Sequence, residues 1–137
     1  MPDIRLVKVV AMAPTPGSPG GTIKTDTLGE LTVARRKEWT TLEMGFVKGW
    51  PMSLKIDEGE VTLAWPADTD HLRALGAITD PGDRLVVDLM QRQTFLYLDR
   101  QGPRFAELHR VLALAFRNKT QVSVAVAPGG ELIDDAR

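Results

Sequence analysis

The sequence predicts an α+β fold, in which a mainly antiparallel, strongly bent sheet of about six or seven strands carries one principal helix. Residues 103–117 have the apolar spacing of an amphipathic helix, and residues 121–126 alternate valine with smaller residues. Residues 52–65 have the pattern of two alternating strands around a turn. A helix with one apolar side, closely flanked by strands, must place that side on their sheet. The same order of elements also suits a small OB-like barrel.

The first third of the chain combines a clear strand with an ambiguous stretch. Residues 4–12 are predicted to form a strand, and residues 14–21 a flexible Pro/Gly loop, because proline and glycine there exclude regular pairing. In residues 22–47 the apolar spacing fits a helix, whereas the threonines and Val33 favour strands. We favour a strand near residues 31–35 and leave the rest of this stretch open.

Residues 52–65 are predicted to form a β-hairpin. Apolar residues alternate along both arms, and a glycine-containing turn at residues 57–59 joins them. This register places Trp50 and Trp65 near each other at the open end of the hairpin.

The segment after the hairpin contains several aspartates and few apolar residues. Residues 67–76 are predicted to hold a short helix, for which Asp68 or Asp70 supplies the N-cap. The Asp-Pro-Gly-Asp sequence at residues 80–83 predicts a turn.

The region around the principal helix is the most strongly patterned. Residues 85–89 and 95–98 are rich in β-branched and aromatic side chains and predict two strands. The helix at 103–117 begins with Pro103, whose missing N–H is tolerated at a first helical position. Asn118 can adopt the left-handed conformation that ends a helix.

The C-terminal part is predicted to add two strands to the sheet. Residues 121–126 form the first, residues 131–133 a last short one, and residues 134–137 a frayed C-terminus. No internal repeat is apparent in the sequence. Residues 1–137 are therefore expected to form a single domain.

The composition is that of a globular protein and excludes several classes of function. A hydrophobic fraction of 43% and a charged fraction of 26% are ordinary for a folded domain. The chain has no cysteine, which excludes disulfides, thiolate metal sites and a cysteine nucleophile, and fits a cytoplasmic location. A net charge of −1 makes nucleic acid an unlikely partner, and no apolar run is long enough for a membrane span.

The charges are unevenly distributed along the chain. Acidic residues crowd residues 57–83, and cations dominate the region that follows. Such runs are usually solvated faces, but acidic and basic patches of neighbouring subunits can also meet in an oligomer.

The one closely spaced set of metal-ligand types is Asp68, Asp70 and His71. A zinc or manganese site would need a further ligand, for which Asp80 or Asp83 is suitable. The competing interpretation gives the two aspartates a helix-capping role and His71 a surface position. We predict no other cofactor.

Aromatic side chains provide a second candidate site. Trp50 and Trp65, together with Tyr97 if the sheet continues that far, could form a stacking platform for a sugar or a base. Aromatic residues on hairpins are more often part of the core.

The sequence favours a non-enzymatic binding or assembly module that forms a homo-oligomer or binds a protein partner. Residues that commonly perform catalysis are scarce, and many strands imply edges that need covering. One alternative is a small carboxylate- or metal-dependent enzyme that uses the acidic region at residues 57–83, with His71 or His109. The other is a carbohydrate or nucleotide binder that uses Trp50 and Trp65. We assign no catalytic residue.

Overall fold

The structure is a computed structural model that describes residues 3–76 and 84–137. The turn predicted at residues 80–83 lies outside the described residues. In chain order the helices and strands are β1 (Asp3–Val7), β2 (Val9–Pro14), β3 (Gly21–Thr25), β4 (Gly29–Val33), α1 (Arg36–Lys48), β5 (Met52–Asp57), β6 (Glu60–Pro66), β7 (Asp68–Leu75), β8 (Arg84–Leu89), β9 (Leu96–Asp99), α2 (Phe105–Asn118), β10 (Gln121–Val126) and β11 (Ile133–Ala136). The predicted α+β class with mainly antiparallel sheets is confirmed.

The chain divides into two compact units, Met1–Ala67 and Asp68–Arg137. The first contains a six-stranded sheet and α1, and the second contains a five-stranded sheet and α2. The sequence patterns identified α2 but did not separate the second sheet or the second helix. That residues 1–137 form a single domain stays a prediction.

The sheet of the first unit is strongly curled. Its strand order is β1-β5-β6-β4-β3-β2, so β1 and β2 stand at opposite ends of the order although Lys8 alone separates them in sequence. In a flat sheet, strands five spacings apart would be separated by roughly 24 Å. A single linking residue spans at most about 7 Å between the flanking Cα atoms. The sheet must therefore bend until its two end strands meet.

The sheet of the second unit has an equivalent order, β11-β10-β7-β8-β9. The first half of β7 pairs with β10 and the second half with β8, and the register shifts between Leu72 and Ala74. The single strand β7 therefore corresponds to β1 and β2 of the first unit: one half pairs with the strand after the helix and the other half with the next strand in sequence.

A single parallel bridge completes the ring of strands in each unit. Thr32 in β4 pairs with Glu60 in β6, and Tyr97 in β9 pairs with Leu132 just before β11. Among the described residues no continuous ladder closes either ring, so neither sheet is a closed barrel. The two units nevertheless share one order of elements, which the sequence did not reveal: a bent first strand, a hairpin, a helix and two final strands.

The helix and the following strand repeat with a constant spacing of 70 residues. Leu42 and Leu112 are both fully buried on the sheet-facing side of their helices. Each helix ends in a left-handed residue, Gly49 with φ 71° and Lys119 with φ 56°. We infer that α1–β5 and α2–β10 are the same structural element used twice.

Each unit has its own apolar core beneath its helix. The first unit buries Leu42 of α1 with strand residues such as Ile23 and Leu54, all 0% exposed. The second buries Leu108 and Leu112 of α2 among the residues of its own sheet. Gly45 of α1 lies against Met52, and a Cβ there would overlap the Met52 side chain. Neither helix of the described residues combines the length and apolarity that a bilayer crossing requires.

Several sequence-based assignments differ from the structure. The single strand expected at residues 4–12 is interrupted at Lys8, where the chain passes from β1 to β2. Residues 67–76 contain the strand β7 rather than a short helix, because neighbours on both sides pair with them. The ambiguous stretch at residues 22–47 contains β3, β4 and α1, so strand and helix readings each fit part of it.

The C-terminus is paired and not frayed as expected for residues 134–137. β11 pairs with β10, and the backbone N–H and C=O of Arg137 bond to the C=O and N–H of Ser123 at 2.9 and 2.8 Å. Asp135 is 6% exposed and accepts a hydrogen bond of 2.8 Å from Arg104 at the start of α2. A strand therefore forms in this polar sequence, and the ion pair between Arg104 and the buried Asp135 joins it to the start of α2.

The hairpin predicted at residues 52–65 is confirmed as β5 and β6. Glu58 and Gly59 both have positive φ, 51° and 78°. Two central residues of this kind form the tight turn whose twist matches that of paired strands.

Candidate functional site

A cleft of about 410 Å³ lies on the outer face of β2, β3 and β4. We call it the first-unit cleft. Its lining residues are Ala11, Met12, Ala13, Thr22, Lys24 and Glu30.

The strand register places the small and polar lining residues on one outward face. Ala13 lies opposite Thr22, and Ala11 opposite Lys24, so small side chains form the β2 side of the cleft. Lys24 in turn lies opposite Glu30 across the β3–β4 ladder. Side chains alternate between the two faces of a strand, and Ile23 between the cleft residues points into the core with 0% exposure.

The Pro/Gly loop at residues 15–20 borders this face and is turned tightly at its base. Thr15 N–H donates to the Gly20 carbonyl at 3.0 Å, and Gly20 N–H donates to Ser18 Oγ at 3.3 Å. A Cβ at Gly20 would overlap the carbonyl oxygen of Val33, so glycine is required where the loop meets β4.

The side chains of the first-unit cleft combine hydrogen-bonding groups with a small apolar surface. Lys24 supplies an ammonium donor, Glu30 a carboxylate acceptor and Thr22 a hydroxyl that does both. The alanine methyl groups add a small apolar surface. This combination can hydrogen-bond a polar ligand while its apolar side rests on the alanines.

A second cleft, of about 260 Å³, lies in the second unit at β7 and the end of β8. It is lined by Asp68, Thr69, Asp70, Leu89, Gln91 and Arg92. It therefore contains two of the three residues of the predicted metal site.

The structure does not direct Asp68, Asp70 and His71 at one point. They lie on one strand, where Asp68 and Asp70 share a face and His71 belongs to the other. The two Asp70 oxygens accept backbone N–H bonds of 2.7 Å from His71 and Gln91, and Asp68 pairs with Arg92 at 3.0 Å. Across residues 3–76 and 84–137, no three His, Asp or Glu side chains are grouped to hold a metal.

The further ligand expected at Asp80 or Asp83 lies outside the described residues. Within them, Asp70 ties β7 to the end of β8 through its hydrogen bonds. The described geometry thus gives Asp70 a structural role, with its backbone partners in the place of a metal.

The three aromatic residues of the predicted platform do not share a sheet. Trp50 follows the end of α1 and is 40% exposed, and Trp65 is half-buried on β6. Tyr97 belongs to β9 in the other sheet, where the guanidinium of Arg84 lies 4.5 Å from the centre of its ring. The sheet does not continue from Trp65 to Tyr97, as that prediction required.

The remaining candidate residues are His109 and the carboxylates of the β5–β6 turn. The His109 ring stacks on the ring of Phe105, one turn earlier in α2, with 5.3 Å between ring centres. Asp57, Glu58 and Glu60 are exposed at the β5–β6 turn. Asp57, Glu58 and Glu60 line neither cleft described above. Of the described part of the acidic region, Asp68 and Asp70 line the second cleft, where Arg92 and two backbone amides bind their carboxylate oxygens.

Sequence reasoning missed the first-unit cleft because residues 22–47 were left unassigned. The signal was present in residues 21–25, where Ile23 lies between Thr22 and Lys24. Reading that alternation as a strand would have placed Lys24 and Thr22 on one outward face.

No protein-family model matches this chain, and neither a curated protein nor a solved structure matches it.

Proposed function

We propose that this protein is a non-enzymatic binding and assembly module built from two OB-like units. The strand order supports this proposal, because each unit has a bent first strand and a helix before its last two strands. An OB fold is a partly open five-stranded barrel, and the single bridges at Thr32–Glu60 and Tyr97–Leu132 fit that description.

The position of the first-unit cleft is the observation that carries the binding role. In OB folds the face of the second and third strands binds oligonucleotides and oligosaccharides. When β1 and β2 are counted as one bent strand, β3 and β4 are the second and third strands of this unit. The cleft lies on that face. A shared fold does not fix the ligand, so the ligand class depends on the residues of the cleft.

The residues of the cleft favour an oligosaccharide over a nucleic acid. Glu30 would repel a phosphate backbone but can accept hydrogen bonds from sugar hydroxyls. The net charge of −1 adds no long-range attraction for nucleic acid.

Amide chemical shifts of the ¹⁵N-labelled chain test this role. A panel of neutral tetra- to hexasaccharides is titrated, with a single-stranded oligonucleotide as comparison. We expect saturable shifts at Ala11, Ala13, Thr22, Lys24 and Glu30 with at least one oligosaccharide.

An Ala13→Trp variant should weaken this binding by tenfold or more because the indole fills the cleft, whereas Ala106→Trp on exposed α2 should leave it unchanged. Binding with shifts confined to Trp50 and Trp65 would support the alternative site at those residues. No response to any member of the panel would contradict the proposal.

The assembly role rests on apolar side chains left exposed on both helices. Met44 on α1 is 54% exposed and Leu114 on α2 is 49% exposed. On α1, Met44 and Val47 line one groove, and an exposed apolar patch of this kind often marks a protein–protein contact. We propose self-association, and light scattering of the purified chain over a range of concentrations measures it.

The enzymatic alternative has less support. Asp70 is committed to two backbone amides, and the carboxylates of the β5–β6 turn face solvent. Asp68→Asn and Asp70→Asn variants would favour an enzyme if a measurable activity were lost without unfolding. The proposal includes a cytoplasmic location, which the absence of cysteine supports.

A further inference from the structure

The outward faces of the two helices have the same spacing of residues. On α1, Thr40, Met44 and Val47 follow one another at i, i+4 and i+7. On α2, Arg110, Leu114 and Arg117 take the same places 70 residues later. Residues with this spacing share one side of a helix. The opposite sides, with Leu42 and Leu112, are buried in the cores.

The α1 face is predominantly apolar and grooved. A groove of about 230 Å³ runs between Thr40 and Lys48 along Glu43, Met44 and Val47. Val47 is 77% exposed, which is unusually high for a branched apolar side chain that forms one wall of a groove.

The α2 face is complementary to the α1 face. Leu114 provides an apolar side chain that is 49% exposed and suited to a groove. Arg110 and Arg117 flank it one turn away on either side, and both are exposed. Glu43 is the carboxylate that lines the α1 groove, so an apolar contact with an Arg–Glu pair at its rim can form between the two faces.

We propose that the α1 face of one copy of this chain packs against the α2 face of a second copy. The proposal rests on the self-association proposed above and names the surfaces that carry it. Leu114 enters the groove beside Met44 and Val47, and Arg110 or Arg117 reaches Glu43. Because the two faces differ, the contact is heterologous: one copy keeps its α2 face free and the other keeps its α1 face free. Such a contact forms closed rings or open chains.

Charge reversal on each face separately tests the contact. A Glu43→Arg variant loses the acceptor on the α1 face, and an Arg110→Glu/Arg117→Glu variant reverses the α2 face. Each variant alone should associate at least about tenfold more weakly than the unchanged chain, because like charges meet at the rim. Equimolar mixing should restore association between unlike copies, because the two reversed faces complement each other and so do the two unchanged faces. The two variants should therefore alternate in the assembly, in equal amounts.

Size-exclusion chromatography with light scattering provides the readout, and circular dichroism verifies that each variant is folded. Glu131→Arg, an exposed change away from both helices, should associate like the unchanged chain. If the unchanged chain associates but both reversed variants do so equally well, this contact is wrong and self-association stands. If the unchanged chain is monomeric at every concentration, both proposals fail.

Discussion

Ser53 and Ser123 occupy equivalent positions in β5 and β10, yet their hydroxyl groups have different surroundings. Ser123 Oγ lies 2.8 Å from Thr69 Oγ1 across the β7–β10 ladder. Ser53 is 0% exposed and lies opposite Leu6, and its Oγ has no hydrogen-bond partner among residues 3–76 and 84–137. A buried hydroxyl without a partner loses its hydration and regains nothing, so the two serines should affect stability with different signs.

Replacing each serine with alanine tests this difference. Ser123→Ala should lower the free energy of unfolding by about 1 kcal/mol, because it leaves the Thr69 hydroxyl without its bond. Ser53→Ala should leave that free energy unchanged or raise it by up to about 1 kcal/mol, because it removes an unsatisfied group. Urea unfolding of both variants measures the change. A loss for Ser53→Ala as large as that for Ser123→Ala would show that Ser53 has a partner.

Arg104 joins the start of α2 to the last strand. Its Nη2 donates to Glu107 at 3.0 Å and to Asp135 at 2.8 Å, and Nη1 donates to the Asp134 carbonyl at 3.2 Å. The hydrogen bond to Glu107, followed by the interactions with Asp135, holds the pKa of the Arg104 guanidinium above its ordinary value, although burial acts in the opposite direction. A raised pKa stabilises the folded state at every pH below the unfolded value, and this contribution is lost only as pH rises through the folded value.

An Arg104→Met variant should therefore unfold more easily by about 2 kcal/mol, because it removes the cation that faces buried Asp135. The difference from the unchanged chain should not shrink as pH rises between roughly pH 6 and pH 10, since arginine stays protonated throughout. Urea unfolding at several pH values measures it, with Arg100→Met, an exposed change, as control. A difference that shrinks toward pH 10 would contradict this account.

The contact between α1 and β5 and the equivalent contact between α2 and β10 differ in both of the residues that meet. Gly45 lies against fully buried Met52, whereas Ala115 and Val122 take these two places in α2 and β10. A larger residue in the helix accompanies a smaller one in the strand. The helix–strand contact is therefore filled in two ways on one backbone arrangement.

Exchanging the pair in the first unit tests this equivalence. Gly45→Ala should destabilise the chain by about 1 kcal/mol, because overpacking against Met52 outweighs the gain in helix propensity. Adding Met52→Val should remove the overlap and recover stability, with a coupling free energy above about 1 kcal/mol in the double-mutant cycle. Additive effects in thermal unfolding would mean that the two residues do not meet as described.

Among the helices and strands, the sequence predicted α2, β8, β9, β10 and the β5–β6 hairpin, because each has a clear apolar period. It assigned β7 to a short helix, and it placed the last strand at residues 131–133 and took the aspartates of β11 for a frayed end. Asp70 and Asp135 are nevertheless buried, because backbone amides and Arg104 satisfy their carboxylates. Tertiary partners that no local pattern shows turned these polar stretches into strands.

The sequence does not show that the two units have the same order of elements, and the reason is physical. A buried core position requires an apolar residue, but several apolar residues can fill it. An exposed position accepts polar and apolar residues alike. The connecting loops also differ, since one residue links β1 to β2 while β7 is continuous. Between residues 36–56 and 106–126 the identical pairs are Leu42 and Leu112, Phe46 and Phe116, and Ser53 and Ser123.

The candidate site could be predicted from the sequence only in part. Asp68 and Asp70 do line a cleft, but the first-unit cleft depends on which strands are neighbours. Ala13 and Glu30 lie on strands that β3 separates, and only the strand order brings them onto one face. The register that forms this face is specified by the core residues beneath it.

The ring of strands repeated in both units is the claim on which the binding face and the paired helices depend. Interstrand nuclear Overhauser effects in the isotope-labelled chain test it most directly. We expect backbone contacts between Thr32 and Glu60 and between Tyr97 and Leu132, because these parallel bridges join the third strand to the last in each unit. Absence of the Tyr97–Leu132 contact, together with helical contacts over residues 68–75, would contradict the account.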